Sequence, residues 1–180
     1  MRQTESGTNL TARNRHVRIC IAKALIDLMR HKSLEQITIT ELVKLANVSR
    51  MTFYKYYISK AEVLMDYVYE LMNEYVDEVS KRLDIGRFRE LKHITHCFDF
   101  FGKYSRELMI LVRTNMYGVI IGVLNDYMDK YVEPHSHYSK YELYYYAGAL
   151  CNTYIKWVEA GMLETPEEIA AIVYRHLARI

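Results

Sequence analysis

Leu, Ile, Val, Met and Tyr recur at helical spacing along the chain, and with only 2 Pro and 7 Gly among 180 residues the breakers are too few for a many-stranded fold. The pattern predicts an all-α protein. Between about Arg13 and His31, the residues Val17, Ile21, Ala24, Leu25 and Leu28 fall on one stripe of an amphipathic helix. Residues 1–12 are polar and lack that periodicity, so they read as a flexible basic arm. Thr38-Ile39-Thr40-Glu41 has the spacing of a capping box and predicts a short helix to about Leu45. Asn47 tolerates the left-handed conformation that a tight turn demands, and Ser49 is placed to cap a third helix.

A long helix is expected from Lys60 to about Leu83, with Leu64, Tyr67, Val68, Leu71, Tyr75 and Val79 on one face and Asp84-Ile85-Gly86 as its end. Further helices follow at about 88–101, 105–112 and 117–131, with a break at Pro134-His135-Ser136. From Ser139 to Glu159 a broad stripe includes Leu143, Tyr146, Ala147, Leu150, Tyr154, Trp157 and Val158, and Gly161 is the expected stop. Thr165-Pro166-Glu167-Glu168 is a start signal for the last helix, with Thr165 as N-cap and Pro166 in first position. Its apolar face is Ile169, Ile172, Val173, His176, Leu177 and Ile180. The two long apolar faces at the end of the chain suggest a homodimer, with Leu143, Tyr146, Ala147, Leu150, Ile169, Ile172, Val173 and Leu177 at its interface.

Residues 38–57 combine a capped helix, the small Ala46, a short turn and a second capped helix, which is the order of elements in a helix-turn-helix. Phe53 and Tyr57, four apart, pack inward and turn Arg50, Met51, Thr52 and Tyr56 outward. Arg50 suits a bidentate contact to guanine and Thr52 a base edge or a thymine methyl, while Tyr54, Lys55, Tyr56 and Lys60 are placed to reach phosphates. With Thr38, Thr40, Ser49 and Met51 they make up the candidate DNA surface. Charge agrees with this division. Residues 1–60 hold eleven Lys/Arg against four Asp/Glu, whereas residues 61–180 hold thirteen against eighteen. A basic N-terminal part points to a polyanionic partner at that end.

These residues resemble the tetracycline repressor (TetR) family, whose recurrent pattern is Thr-x-x-x-Ile-Ala-x-x-Ala-Gly-Val-Ser-x-x-Thr-hydrophobic-Tyr-x-His-Phe-x-x-Lys-x-x-Leu. The matches are Thr38, Leu42, Ala46, Val48, Ser49, Thr52, Phe53, Tyr54, Lys60 and Leu64; Val43, Asn47, Tyr56 and Tyr57 depart from it. The stretch from Tyr144 to Val173 also resembles the C-terminal domain of many such regulators in low-GC Gram-positive bacteria. The resemblance implies a TetR-like fold, with a three-helix DNA-binding domain at 13–60 and a C-terminal bundle at 61–180 for dimerisation and effector binding. It implies a repressor released from a palindromic double-stranded DNA operator by a small-molecule effector, and a dimer held by the last two helices as a four-helix interface. A TetR-like coactivator that works through a protein partner without binding DNA is the alternative, and the types of residue at Arg50, Thr52, Tyr54 and Lys60 speak against it.

Fourteen of the 17 Tyr lie beyond residue 60, and Met109, Asn115, Met116, Tyr127, Tyr154 and Trp157 are candidates to line an effector cavity. Tyr and Met at helical spacing serve core packing equally well. Cys20, Cys97 and Cys151 have neither disulfide nor zinc-ligand spacing, which suits a reducing cytoplasm. His135 and His137 lack a partner ligand in sequence, so no metal or other cofactor is expected. Without a phosphate loop, nucleophile elbow or paired-carboxylate motif, an enzyme is not expected. No apolar run approaches the ~18 to 20 residues of a membrane span, so no membrane partner is expected either.

Overall fold

The computed structural model describes the backbone of residues 4–177 and the side chains of residues 12–176, and among the described residues every regular element is helical. The chain divides into two compact units, residues 1–68 and 69–180. The sequence pattern placed that division near residue 60.

The first unit contains α1 (Thr4–Leu28), α2 (Ile39–Leu45), α3 (Arg50–Tyr56) and the beginning of α4 (Lys60–Lys81). Helix α1 begins at Thr4, inside the segment read as an arm, whereas its apolar stripe starts only at Val17. Periodicity reports burial and not helicity, and Ala12, Arg13, Arg15 and His16 on this extension are exposed. Residues 1–3 lie outside the described residues. The core of the unit is built from Ile21, Leu25, Ile37, Leu42, Phe53 and Leu64, all with almost no accessible surface. Helix α2 begins where Thr38 Oγ1 accepts the Glu41 amide at 3.1 Å. The Glu41 carboxylate, expected to complete a reciprocal capping box, instead accepts from Lys32 Nζ at 2.6 Å. Between α2 and α3, Asn47 takes φ 53, and the Val48 amide donates to the Val43 carbonyl at 3.0 Å. The left-handed turn chemistry expected of Asn47 is therefore present.

The second unit continues α4 and then passes a 3-10 turn at Leu83–Ile85 and Gly86 at φ 82 into α5 (Leu91–Gly102), α6 (Ser105–Arg113) and α7 (Tyr117–Tyr127). A π turn (Met128–Val132) replaces the end of what the pattern read as one helix over 117–131, and a 3-10 turn (Glu133–His135) follows at the expected break. Helix α8 (Lys140–Glu159) opens on a full capping box between Ser139 and Glu142, gives way past Ala160 to Gly161 at φ 89, and is followed by α9 (Pro166–Leu177). Thr165 and Glu168 cap α9 reciprocally, at 2.8 and 3.2 Å, as its start signal predicts.

Six of the eight residues expected at the dimer surface serve the main core here. Leu143, Tyr146, Ala147, Leu150, Ile169 and Val173 are all buried within the subunit, packed with Ile94, Phe98, Met128, Val132 and Trp157. A side chain already enclosed by its own subunit has almost no area left to offer a second copy. Of the eight residues expected at the interface, Ile172 is exposed, at 38%, and the side chain of Leu177 lies outside the described residues. An apolar stripe states that a helix face is covered. It does not state by what, and here α5 and the π turn cover it. The outward surface of α8 and α9 carries Tyr141, Tyr145, Ile172 and Tyr174 instead.

Candidate nucleic-acid interface

Helix α3 is short, seven residues from Arg50 to Tyr56, and its geometry depends on both ends. At its start Ser49 Oγ accepts the Thr52 amide at 3.0 Å and shares a 2.8 Å hydrogen bond with the Thr52 hydroxyl. Phe53 is fully buried and Tyr57 is 5% exposed, so the inward face is the one expected from their spacing. The opposite face offers Arg50, Met51 at 85% exposure, Tyr54 at 53% and Lys55. Thr38 and Thr40, at the start of α2, are exposed as well, while Thr52 and Tyr56 are half-buried. The candidate face therefore combines a guanidinium, an unbranched apolar side chain, hydroxyls and an ammonium. That mixture suits base edges and phosphates together.

Two of the expected contact residues are engaged inside the unit. Tyr56 donates through its hydroxyl to Asn14 Oδ1 on α1 at 2.7 Å. Lys60 Nζ donates to the carbonyls of Leu34 and Ile37, with Glu35 O at 3.5 Å, in the segment between α1 and α2. Its ammonium therefore holds that segment in place, which corrects the reading of Lys60 as a free phosphate donor. Sequence reasoning also missed a supporting network. Asp66 on α4 accepts from Arg18 Nη1 on α1 at 2.7 Å and from the Tyr57 hydroxyl at 2.6 Å. No local motif announces it, because Arg18 and Asp66 are 48 positions apart.

In the second unit the six candidate effector residues have different surroundings. Trp157 lines an open cleft of about 370 Å³ with Phe98, Gly102, Met162, Leu163 and Pro166. Met109 packs in a small cluster with Cys151 and Ile155, against which Tyr154 also lies. Tyr154 donates to the Phe101 carbonyl at 2.8 Å, and Tyr127 stands edge-on to Tyr75 at 6.1 Å. Met116 is half-buried, and Asn115 is an exposed turn residue at φ 64. Burial pushes the Cys97 thiol up to about 12, which leaves it in the unreactive protonated form at neutral pH. His93 shares a 2.9 Å hydrogen bond with the Tyr75 hydroxyl, and His96 stacks on the same ring at 5.6 Å. Burial holds both imidazoles below their ordinary 6.5 and the Tyr75 phenol well above its own value. No group of three or more His, Cys, Asp or Glu among the described residues is arranged to hold a metal ion. No helix among them is long and apolar enough to cross a membrane.

Residues 91–178 match a TetR-type family described as a transcriptional regulator C-terminal region. Among curated proteins, none matches the chain. Among solved structures, a TetR-family transcriptional regulator from Syntrophomonas wolfei is similar at 15% identity and a TM-score of 0.65, covering 92% of this chain and 94% of its own. The fatty acid degradation regulator FadR from Bacillus halodurans is similar at 17% identity and a TM-score of 0.60, covering 89% and 94%. The dihydroxyacetone kinase operon activator DhaS is similar at 20% identity and a TM-score of 0.58, covering 91% and 94%. At these identities the likeness is one of fold, and it extends over nearly the whole of each chain.

Proposed function

We propose that the chain, whose residues 91–178 match a TetR-type transcriptional regulator family and whose overall fold is TetR-like, acts as a TetR-family transcriptional regulator: it binds a pseudo-palindromic double-stranded operator as a homodimer and releases it when a small molecule occupies the second unit. The observation that carries this reading is the outward face of α3. Arg50, Met51, Tyr54 and Lys55 are exposed there on a helix anchored by the buried Phe53 and Tyr57. An exposed Met on a seven-residue helix contributes little to folding and much to contact with a thymine methyl. Arg50 and Met51 read bases, Thr52 supports them, and Tyr54 and Lys55 hold phosphates.

Two copies related by a two-fold axis present two α3 helices, and DNA with matching symmetry offers two half-sites about one helical turn apart. The outward surface of α8 and α9, with Tyr145 and Ile172, supplies the contact between copies. Occupying a promoter in this way excludes polymerase, which is the repressor direction; an operator upstream of the promoter permits the opposite, and one relative of this fold is named an operon activator. The effector is apolar or amphipathic and binds within residues 88–160. That reading is supported by half-buried Val112, Ile120, Ile121, Leu124, Tyr154 and Val158 around the small Met109 cluster. It acts by population shift, lowering operator affinity by as much as it prefers the released state. Footprinting on the DNA flanking the chain's own gene tests the reading: protection of an inverted repeat supports it, and uniform protection of all sequences contradicts it.

A further inference from the structure

The last turn of α3 is fastened from two sides by groups that do not face the exposed reading surface. Tyr56 donates to Asn14 on α1 at 2.7 Å, and Tyr57 donates to Asp66 Oδ2 on α4 at 2.6 Å. Asp66 uses its other oxygen to accept from Arg18 on α1 at 2.7 Å. Tyr57 is the residue at which α3 stops: its φ of −140° and ψ of 141° are extended, and its amide donates back to the Phe53 carbonyl. Its ring leans on Phe53, with centroids 5.8 Å apart, and on Tyr56 at 6.3 Å. A displacement of the Tyr57 ring therefore moves the buried side of the recognition helix.

We propose that Asp66 is a positioning residue for DNA reading: a single carboxylate on α4 that joins α1 to the end of α3 and so sets the angle at which Arg50, Met51 and Thr52 meet the bases. The proposal rests on the DNA-binding reading above. Three observations argue for it together. A carboxylate is an unexpected group in a unit meant to approach phosphates, and here its charge is met by a guanidinium. Both of its hydrogen bonds are short, as bonds to an ionised acceptor are. The side chains of Arg18 and Asp66 are 29% and 26% exposed, so the pair is partly shielded from salt at the ionic strength of a binding assay.

A positioning role and a merely structural one separate in the ratio of specific to random-sequence affinity. Base contacts need an accurate helix angle, whereas phosphate contacts tolerate small errors. The experiment uses the full chain and fluorescence anisotropy on two labelled duplexes, one carrying the footprinted repeat and one of random sequence. Asp66→Asn removes the charge and one acceptor while keeping size. It is expected to weaken the specific duplex about tenfold or more, the scale of a lost hydrogen bond to a charged group, and to leave the random duplex within about twofold. The slope of log affinity against log salt stays unchanged, because no phosphate contact has been lost. Tyr57→Phe, which removes one oxygen atom and leaves the Arg18 pair, is expected to move the ratio in the same direction by less. If Asp66→Asn does not fold by circular dichroism, Tyr57→Phe decides the matter alone. Unchanged ratios in the folded variants, or equal losses on both duplexes, overturn the proposal. A wild-type chain that fails to distinguish the two duplexes overturns the DNA-binding reading itself, and that failure is seen before any variant is made.

Discussion

The two units use the same kind of sequence signal to opposite ends. In the first, a short helix keeps two aromatic residues inside, Phe53 and Tyr57, and offers the rest of its surface outward, with Met51 at 85% exposure. In the second, the long stripe of α8 is almost wholly enclosed, with Leu143 at 1%, Ala147 at 0% and Trp157 at 5% exposure. The difference lies in what the neighbouring helices supply. Helix α3 is flanked by elements that cover only one of its sides, whereas α8 lies in a core shared with α5, the π turn and α9. A variant in one unit should therefore act on recognition and a variant in the other on folding.

The largest effect is expected at Trp157. Its ring stands edge-on to Phe98 at 5.5 Å and its Nε1 donates to the Glu164 carbonyl at 2.9 Å. Trp157→Ala should cost about 3 to 5 kcal/mol of folding stability, through the cavity it leaves and the carbonyl it strands, and denaturant unfolding measures this. An effect under about 1 kcal/mol would place the ring outside the core. Arg50→Ala should show the converse pattern. Operator affinity should fall by about 1 to 3 kcal/mol with relaxed preference at one base position, while stability stays within about 0.5 kcal/mol. A competition assay across single-base operator variants, together with thermal unfolding, reads both halves.

What was legible in the sequence follows the same division. The turn at Asn47, the caps at Thr38 and Ser49 and the inward pair Phe53 and Tyr57 are local features, set within a few residues of one another, and each appears in the structure. The Arg18–Asp66–Tyr57 network joins distant positions and carries no local signature. The residues expected at the dimer surface make a related point. Hydrophobic periodicity marks Leu150 and Ile169 as covered, but the cover is supplied by Ile94, Phe98 and Met128 from other parts of the chain. The effector residues were the least legible, because Tyr and Met fill a core and line a cavity with equal ease.

The proposed contact between copies sharpens the comparison within the second unit. Ile172→Glu, on the exposed part of α9, should weaken the dimer about tenfold, or roughly 1.4 kcal/mol, with little change in monomer folding. Light scattering against concentration checks this, and an unchanged dimer would remove Ile172 from the interface. A smaller effect concerns pH. Burial holds the His93 imidazole below 6.5, so as pH falls below that value the unfolded chain takes up its proton first. Stability from this group is full above about pH 6.5 and declines as pH falls toward its lower folded value. His93→Gln should flatten the decline below about pH 6.5, as followed by urea unfolding. The least change in salt dependence is expected from Lys60→Ala in the first unit. Because its ammonium binds the Leu34 and Ile37 carbonyls, the salt slope of DNA binding should stay where it is. A slope smaller by about one would return Lys60 to the phosphate contacts.

The central claim, that α3 reads a two-fold operator from a dimer, is tested most directly by a titration at physiological salt. The duplex carries the inverted repeat from the chain's own promoter, and random-sequence DNA serves as competitor. The account predicts saturable binding of two chains per duplex, at least about a thousandfold tighter than binding to the competitor, and its collapse toward the competitor's affinity when one half-site is scrambled. Equal affinity for both DNAs, or one chain bound per duplex with no loss on scrambling a half-site, would contradict it.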